Sequence, residues 1–351
     1  MQTTTLRPLV DASGPFTAVY FEDSHETEDA AKQLELKWRD LRERLAAQDA
    51  PENSLDALES AVRGSPPPVG RSGRALLAAG GKVVVDEQLD EPPAEPLARV
   101  SELPYVLPLT RYAEPGIKHV VATLDQVNAT VVAYDEHGEA VSADDVEGRD
   151  HPVHQARGGG PAPHDMQPRV EETVRQNARE IAEDITKVAD RVGAEMVLLA
   201  GEIQGRRAVH EELPKRIQEI AREVTHTDVV EELVTATKQR RRDSVLERFR
   251  AELGRETGLA VEGLEAVTTA LIEGNVETLL IGDPGDRTVF RGAEPTQLAV
   301  SEAELRAFGA TEAHEHRADE AIPFAAIAVD AQLVAVDSDL TEGFGALLRH
   351  A

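Results

Sequence analysis

Gly158, Gly159 and Gly160 lie within the segment Arg-Gly-Gly-Gly-Pro-Ala-Pro-His-Asp-Met-Gln-Pro, residues 157–168. Three glycines lift every side-chain restraint on φ, and Pro161, Pro163 and Pro168 bar regular pairing. Such a segment does not pack as core. It can reach outward and lay backbone against a partner, with Arg157 supplying a fixed positive charge beside it. The alternative is a long solvent loop with no partner. A second candidate is Val69-Gly70-Arg71-Ser72-Gly73-Arg74. Planar guanidinium forks on Arg71 and Arg74 would clamp phosphate oxygens, and the alternative is a surface turn with solvated arginines.

Other combinations carry less chemistry. His151, His154 and His164 match no helical metal-ligand pair, and no nearby carboxylate spacing completes a shell, so no metal site is expected. His314 and His316 are expected in a polar loop. There is no Gly-x-Ser-x-Gly elbow, no phosphate-binding P-loop and no dinucleotide fingerprint, so no cofactor is expected. The carboxylates are many but scattered. Lys238, Arg240, Arg241 and Arg242 read as a solvated helix face, as do Arg206 and Arg207.

The glycine segment must be held by the elements on either side of it. Before it, short strands are expected at 119–124, 129–134 and 139–146, a part-buried meander. After it, Val170, Val174, Ile181, Ile185, Val188 and Val192 recur at helical spacing. The run 196–200 is continuously apolar, as expected of a strand covered on both faces. A strand is expected at 217–224 and a long helix at 228–254.

The first part of the chain predicts a strand at 16–21, helices at 27–48 and 52–62, and a hairpin of 74–79 with 82–87 turning on Gly80-Gly81. A proline-dense stretch, 92–108, leads to a boundary at Pro115-Gly116. The last part predicts helices at 261–273 and 302–308 and strands at 278–282, 325–329 and 333–336. Helices alternating with strands throughout indicate an α/β chain of three domains, 1–116, 117–253 and 254–351, each a mixed sheet with helices.

Composition bounds the function. With 351 residues and 41% hydrophobic content the chain can build sizeable cores, but only 3% aromatic content makes them aliphatic. A formal net charge of -28 opposes indiscriminate nucleic-acid binding, though not a docked contact through local basic spots. Cysteine is absent, which excludes disulfides, thiolate metal sites and cysteine nucleophiles. No run reaches the roughly 18 apolar residues of a membrane span, and the amino terminus lacks an apolar signal region; a cytoplasmic protein is expected.

The order of parts resembles the bacterial branch of the archaeo-eukaryotic class-one release factor and Pelota family, with closest likeness to Balon-type ribosome hibernation factors. The residues that carry the likeness include Gly14-Pro15-Phe16, Val19-Tyr20-Phe21, Val69-Gly70-Arg71-Ser72-Gly73-Arg74-Ala75-Leu76 and Leu103-Pro104-Tyr105-Val106-Leu107-Pro108-Leu109. Further along are Val276-Glu277-Thr278-Leu279-Leu280-Ile281, Arg317-Ala318-Asp319-Glu320-Ala321-Ile322-Pro323-Phe324 and Gly343-Phe344-Gly345-Ala346-Leu347-Leu348-Arg349.

The resemblance implies a factor that enters the ribosomal A site, contacts ribosomal RNA and is a monomer off the ribosome. The first domain would face the decoding centre, the middle domain the peptidyl-transferase centre, and the third a translational GTPase, by similarity elongation factor Tu. No match to stop-codon-reading motifs is present. In release factors a Gly-Gly-Gln tip helps water cleave peptidyl-tRNA. Here Gly160 fills the glutamine position, and Gln155 and Gln167 do not follow a Gly-Gly pair. The departure implies occupation without peptide release. The alternative is a divergent peptidyl-tRNA hydrolase using Gln155 or Gln167. Arg71, Arg74, Arg157, Gly158, Gly159 and Gly160 are the expected RNA-binding residues, with no catalytic residue.

Overall fold

The computed structural model describes residues 3–24, 29–64, 72–125, 128–136, 138–146, 166–255 and 258–351. The chain forms two compact units, one of Met1–Glu114 with Arg242–Ala351, the other of Pro115–Arg241. The first and third blocks of the sequence thus build one unit and the middle block the other.

The amino-terminal part of the first unit holds α1 (Pro8–Asp11), β1 (Phe16–Glu22), α2 (Ala30–Ala46), α3 (Glu52–Gly64), β2 (Gly73–Ala79), β3 (Lys82–Leu89), β4 (Leu97–Ser101) and α4 (Leu107–Tyr112). The strands pair in the order β3-β2-β1-β4, with antiparallel neighbours. Gly80 and Gly81 at φ 57° and 77° make the two-residue turn that the strand twist favours. The period of two sorts the strands cleanly. Val19, Phe21, Leu76 and Ala78 pack on Trp38, Leu41, Leu45, Leu55 and Leu58 of the two helices. Ala18, Tyr20, Ala75 and Leu77 face the other way. The proline-dense stretch expected as a connection contains β4, which occupies the sheet edge, where a strand tolerates neighbouring prolines.

The second unit holds β5 (His119–Leu124), β6 (Ala129–Tyr134), β7 (Ala140–Val146), α5 (Met166–Val192), β8 (Met196–Gly201), α6 (Ile203–Glu212), α7 (Lys215–Ile220) and β9 (Ala221–Glu223). The sheet order is β7-β6-β5-β8-β9. The meander is antiparallel, while β5, β8 and β9 run parallel. Val197 and Leu199 of β8 face α5, and Met196, Leu198 and Ala200 face the opposite layer, so this strand is covered on both sides. The strand expected at 217–224 is instead α7 followed by a three-residue strand. Pro214 starts that helix, and only Ala221, Arg222 and Glu223 reach the sheet.

A long helix, α8 (Val230–Leu253), runs across the boundary at Arg241 and Arg242. Leu233 and Val234 belong to the core of the second unit, whereas Val245, Leu246 and Phe249 belong to the first.

The carboxy-terminal part holds β10 (Ala260–Glu262), α9 (Leu264–Ile272), β11 (Val276–Ile281), β12 (Thr288–Arg291), β13 (Leu298–Ala299), α10 (Glu302–Ala307), β14 (His314–Arg317), α11 (Ala318–Ala328), β15 (Gln332–Ala335) and β16 (Phe344–Leu348). One sheet has the order β10-β16-β11-β15 and a smaller one the order β13-β12-β14. Gly345 lets β16 approach α8: a Cβ there would lie 2.7 Å from the Phe249 ring. The helix expected at 261–273 is a short strand and a shorter helix divided by Gly263 at φ 90°. The strand expected at 325–329 is the end of α11. Its residues from Ala318 to Ile327 are all buried, and the run from Ala321 to Ala328 is apolar throughout, so it carries no period to separate helix from strand.

The two parts of the first unit share one core. Leu6, Leu9, Tyr20 and Leu77 join Leu264, Leu279, Ile322 and Phe344 in a single cluster. A polar seam runs beside it. Arg99 bonds Asp319 at 3.4 Å and also meets Glu320, Arg317 holds Asp319 at 3.0 Å, and the Arg99 guanidinium sits 4.1 Å from the Tyr105 ring centroid. Burial pushes the Glu320 carboxyl above its ordinary range, with Arg99 opposing.

Candidate functional site

The elements bracketing the glycine segment are β7, which ends at Val146, and α5, which starts at Met166. Arg157, Gly158, Gly159 and Gly160, with Gln155, His151, His154 and His164, lie outside the described residues, as does Arg71. The backbone at Gln167 is in the first turn of α5.

α5 is fixed to its unit along most of its length. Ala178, Ile181, Ala182, Ile185, Val188 and Ala189 pack onto β5, β6 and β8. Burying a residue such as Ile185 contributes about 1.5–3 kcal/mol. Val174, one of the residues expected on that stripe, is exposed. Packing therefore begins near Asn177, which is buried.

Charged ties complete the attachment. Arg175 and Arg179 donate to the Glu212 carboxylate of α6 at 2.9 and 3.3 Å. The hydrogen bond from Arg175 holds that carboxyl below its ordinary range. At the other end, Arg191 bonds Asp144 of β7 at 3.1 Å and Arg216 of α7 bonds Asp190 at 2.7 Å. The helix that leads away from the glycine segment is thus a rigid mount. A shallow groove of about 420 Å³ runs beside it, lined in part by Arg179, Glu183, Lys187 and Glu212. Its mixed charges converge on no reacting centre.

The turn from β8 into α6 is tightly made. Gly201 has φ 100°, and a Cβ there would stand 2.0 Å from the Leu124 carbonyl oxygen. Only glycine lets the end of β8 lie this close to β5.

Arg74 differs from its expected role. Its side chain is buried in the sheet beside α3, where Nε and Nη2 donate to the two carboxylate oxygens of Asp86 at 2.8 and 2.7 Å. Nη2 also reaches the Ala61 carbonyl at 3.2 Å. A guanidinium held this way stabilises the hairpin and does not present its fork to an outside phosphate.

Several basic residues expected on solvated helix faces are also committed. Arg206 is buried and donates to the Val224 carbonyl. Arg241 bonds Glu195 at 2.5 Å and the Pro115 carbonyl at 3.1 Å, and Arg242 pairs with Glu114 at 3.3 Å. These pairs sit where the chain passes between its two units in sequence, a role that spacing alone did not reveal. His314 and His316 lie on strand β14, not in a loop. Among the described residues no group of three His, Asp or Glu could hold a metal ion, and no helix is long and apolar enough to cross a membrane.

The description "Bacterial archaeo-eukaryotic release factor family 2" matches residues 118–255. Two uncharacterised proteins of Mycobacterium tuberculosis, MT2704 and Rv2629, are each 38% identical to this chain over 366 residues. The alignments cover all of this chain and 97% of theirs. Among solved structures, Pelota of Archaeoglobus fulgidus is 12% identical with a TM-score of 0.38, covering 99% of this chain and 92% of that one. The archaeal translation termination factor aRF1 is 18% identical with a TM-score of 0.25, covering 98% and 96%. Scores this low carry no structural detail across. With the family description on residues 118–255 and relatives matched along its whole length, the chain belongs to the bacterial archaeo-eukaryotic release factor family.

Proposed function

We propose that this protein is a ribosome hibernation factor. It occupies the A site of idle ribosomes and shields the decoding and peptidyl-transferase centres without releasing peptide. One observation carries this most directly: the chain holds Gly158-Gly159-Gly160 and contains no Gly-Gly-Gln, the tripeptide with which release factors cleave peptidyl-tRNA. Peptide release requires a water held within hydrogen-bond reach, about 3 Å, of the ester carbonyl. Glycine has no side chain to hold it. Gln155 precedes the three glycines and Gln167 follows them across two prolines, so presenting either would need the segment to fold back, at the expense of preorganisation.

In this proposal the slim glycine backbone enters the peptidyl-transferase centre, with α5 as its mount. The amino-terminal part faces the decoding centre and the carboxy-terminal part a translational GTPase such as elongation factor Tu. Arg71, Arg157 and the glycine backbone make RNA contacts, and Arg74 anchors the strand that follows Arg71.

Purified protein added to ribosomes with peptidyl-tRNA in the P site should release no peptide above background and should slow A-site entry of aminoacyl-tRNA. Peptide release that disappears in Gln155→Ala or Gln167→Ala would overturn the proposal in favour of a peptidyl-tRNA hydrolase.

A further inference from the structure

The small sheet of the carboxy-terminal part gathers three basic side chains on one face. In the β12–β14 register Arg291 pairs with His314 and Val289 with His316. Because side chains alternate along a strand, Arg291, His314 and His316 share a face with Val289. Thr288 and Glu315, joined by a 2.7 Å hydrogen bond, mark the opposite face.

Arg291 stands out by its burial. Arg42, Arg74, Arg99, Arg248 and Arg317 of the same unit each hold a carboxylate. Arg250, Arg287 and Arg349, which bond a hydroxyl or carbonyls, are exposed. Among the described residues, Arg291 has none within ion-pair distance, and its one hydrogen bond is a long 3.5 Å contact from Nη2 to the Ala293 carbonyl. Its Nε is sealed from solvent without an acceptor. A half-buried guanidinium with one sealed N–H unpaired and no carboxylate at contact distance is under-compensated, and a bound anion would offset that cost.

His316 is the second donor. Its side chain is only 8% exposed, and its nearest carboxylate, Glu102, lies 3.8 Å away with its own side chain 81% exposed. Glu102 also attracts Arg291, as does the exposed Glu294. Glu102 therefore stands at the rim, placed to be displaced by a stronger anion.

We propose that Arg291, His316 and His314 form a binding site for a single phosphate group. A guanidinium fork and two imidazoles offer donors in more than two directions, which suits a tetrahedral oxyanion better than a planar carboxylate. The site uses none of the residues assigned above to ribosome contact and is independent of that proposal.

The test is titration of the full-length protein with inorganic phosphate, followed by the imidazole NMR signals of His314 and His316 and by calorimetry. A dissociation constant of about 1 mM or tighter is expected, with both imidazoles shifting together. Arg291→Gln and His316→Gln should each abolish the heat of binding, whereas Arg306→Gln, on the exposed α10, should retain it. Glu102→Gln should tighten binding about two- to fivefold, the effect of one exposed charge. Dimethyl phosphate in place of inorganic phosphate separates the sources: equal binding assigns the site to a nucleic-acid backbone, weaker binding to a phosphate monoester or free phosphate. Unmoved imidazole signals in the wild-type protein, or acetate binding as tightly as phosphate, would overturn the proposal without reliance on any variant's folding.

Discussion

Arg74 and Asp86 meet diagonally across the β2–β3 hairpin, where Arg74 lies opposite Gln88 and Asp86 opposite Leu76, in a two-point ion pair with bonds of 2.8 and 2.7 Å. The arginine side chain is 7% exposed and the carboxylate 46% exposed, so the pair lies at the boundary between core and water. Asp86→Asn leaves the guanidinium buried without its main counter-charge. It should lower stability by about 1–3 kcal/mol, read as a shift of the urea midpoint at constant slope. A loss of ribosome co-sedimentation in Arg74→Glu would then track unfolding, whereas Arg71→Glu should weaken co-sedimentation with the midpoint unchanged.

Burial first, and then the neighbouring Arg291, hold the His316 imidazole below its ordinary value of 6.5. Glu102 pulls it the other way, and His314 adds to the depression. The unfolded chain therefore takes up a proton near pH 6.5 that the folded protein accepts only at lower pH. Stability from this group is complete above that value and falls as pH drops through it toward the folded value. His316→Gln should flatten this dependence when urea midpoints are compared at about pH 7.5 and about pH 5.5. An unchanged slope would show that His316 is not the group responsible.

Gly201→Ala places a methyl group against the Leu124 carbonyl oxygen at a backbone φ of 100°. Positive φ and the clash act together, so a cost of about 2 kcal/mol or more is expected. Gly138→Ala also has positive φ, but open space surrounds it, and it should cost clearly less. Thermal unfolding of the two variants side by side measures the difference.

If glycine at position 160 is what withholds release, Gly160→Gln should raise peptidyl-tRNA hydrolysis at least about tenfold above the wild-type background. The assay is peptide release from ribosomes with a labelled peptidyl-tRNA in the P site. No rise, with ribosome binding intact, would mean that the segment does not reach the ester and that occlusion must be assigned elsewhere.

Sequence alone determined the elements that rest on local pattern. The alternation in β1 and β2, the Gly80-Gly81 turn, the meander of the second unit and the apolar β8 are all set by neighbours two or a few residues apart. The family, too, was legible, because its short motifs keep their order along the chain. Tertiary structure decided what depends on distant partners. Whether the run ending in Ala325-Ala326-Ile327-Ala328 is strand or helix turned on its burial from every side, which leaves no period to read. In sequence Arg74 read as a phosphate clamp or a solvated turn residue, and Arg206 and Arg241 as solvated helix faces. Each became structural because Asp86, the Val224 carbonyl and Glu195 stand where the fold brings them. Arg291 differs because the register of a three-stranded sheet sets it on one face with two histidines, with no carboxylate at ion-pair distance among the described residues. Charge is written in the sequence, but the partner that satisfies it is chosen only when the chain closes on itself.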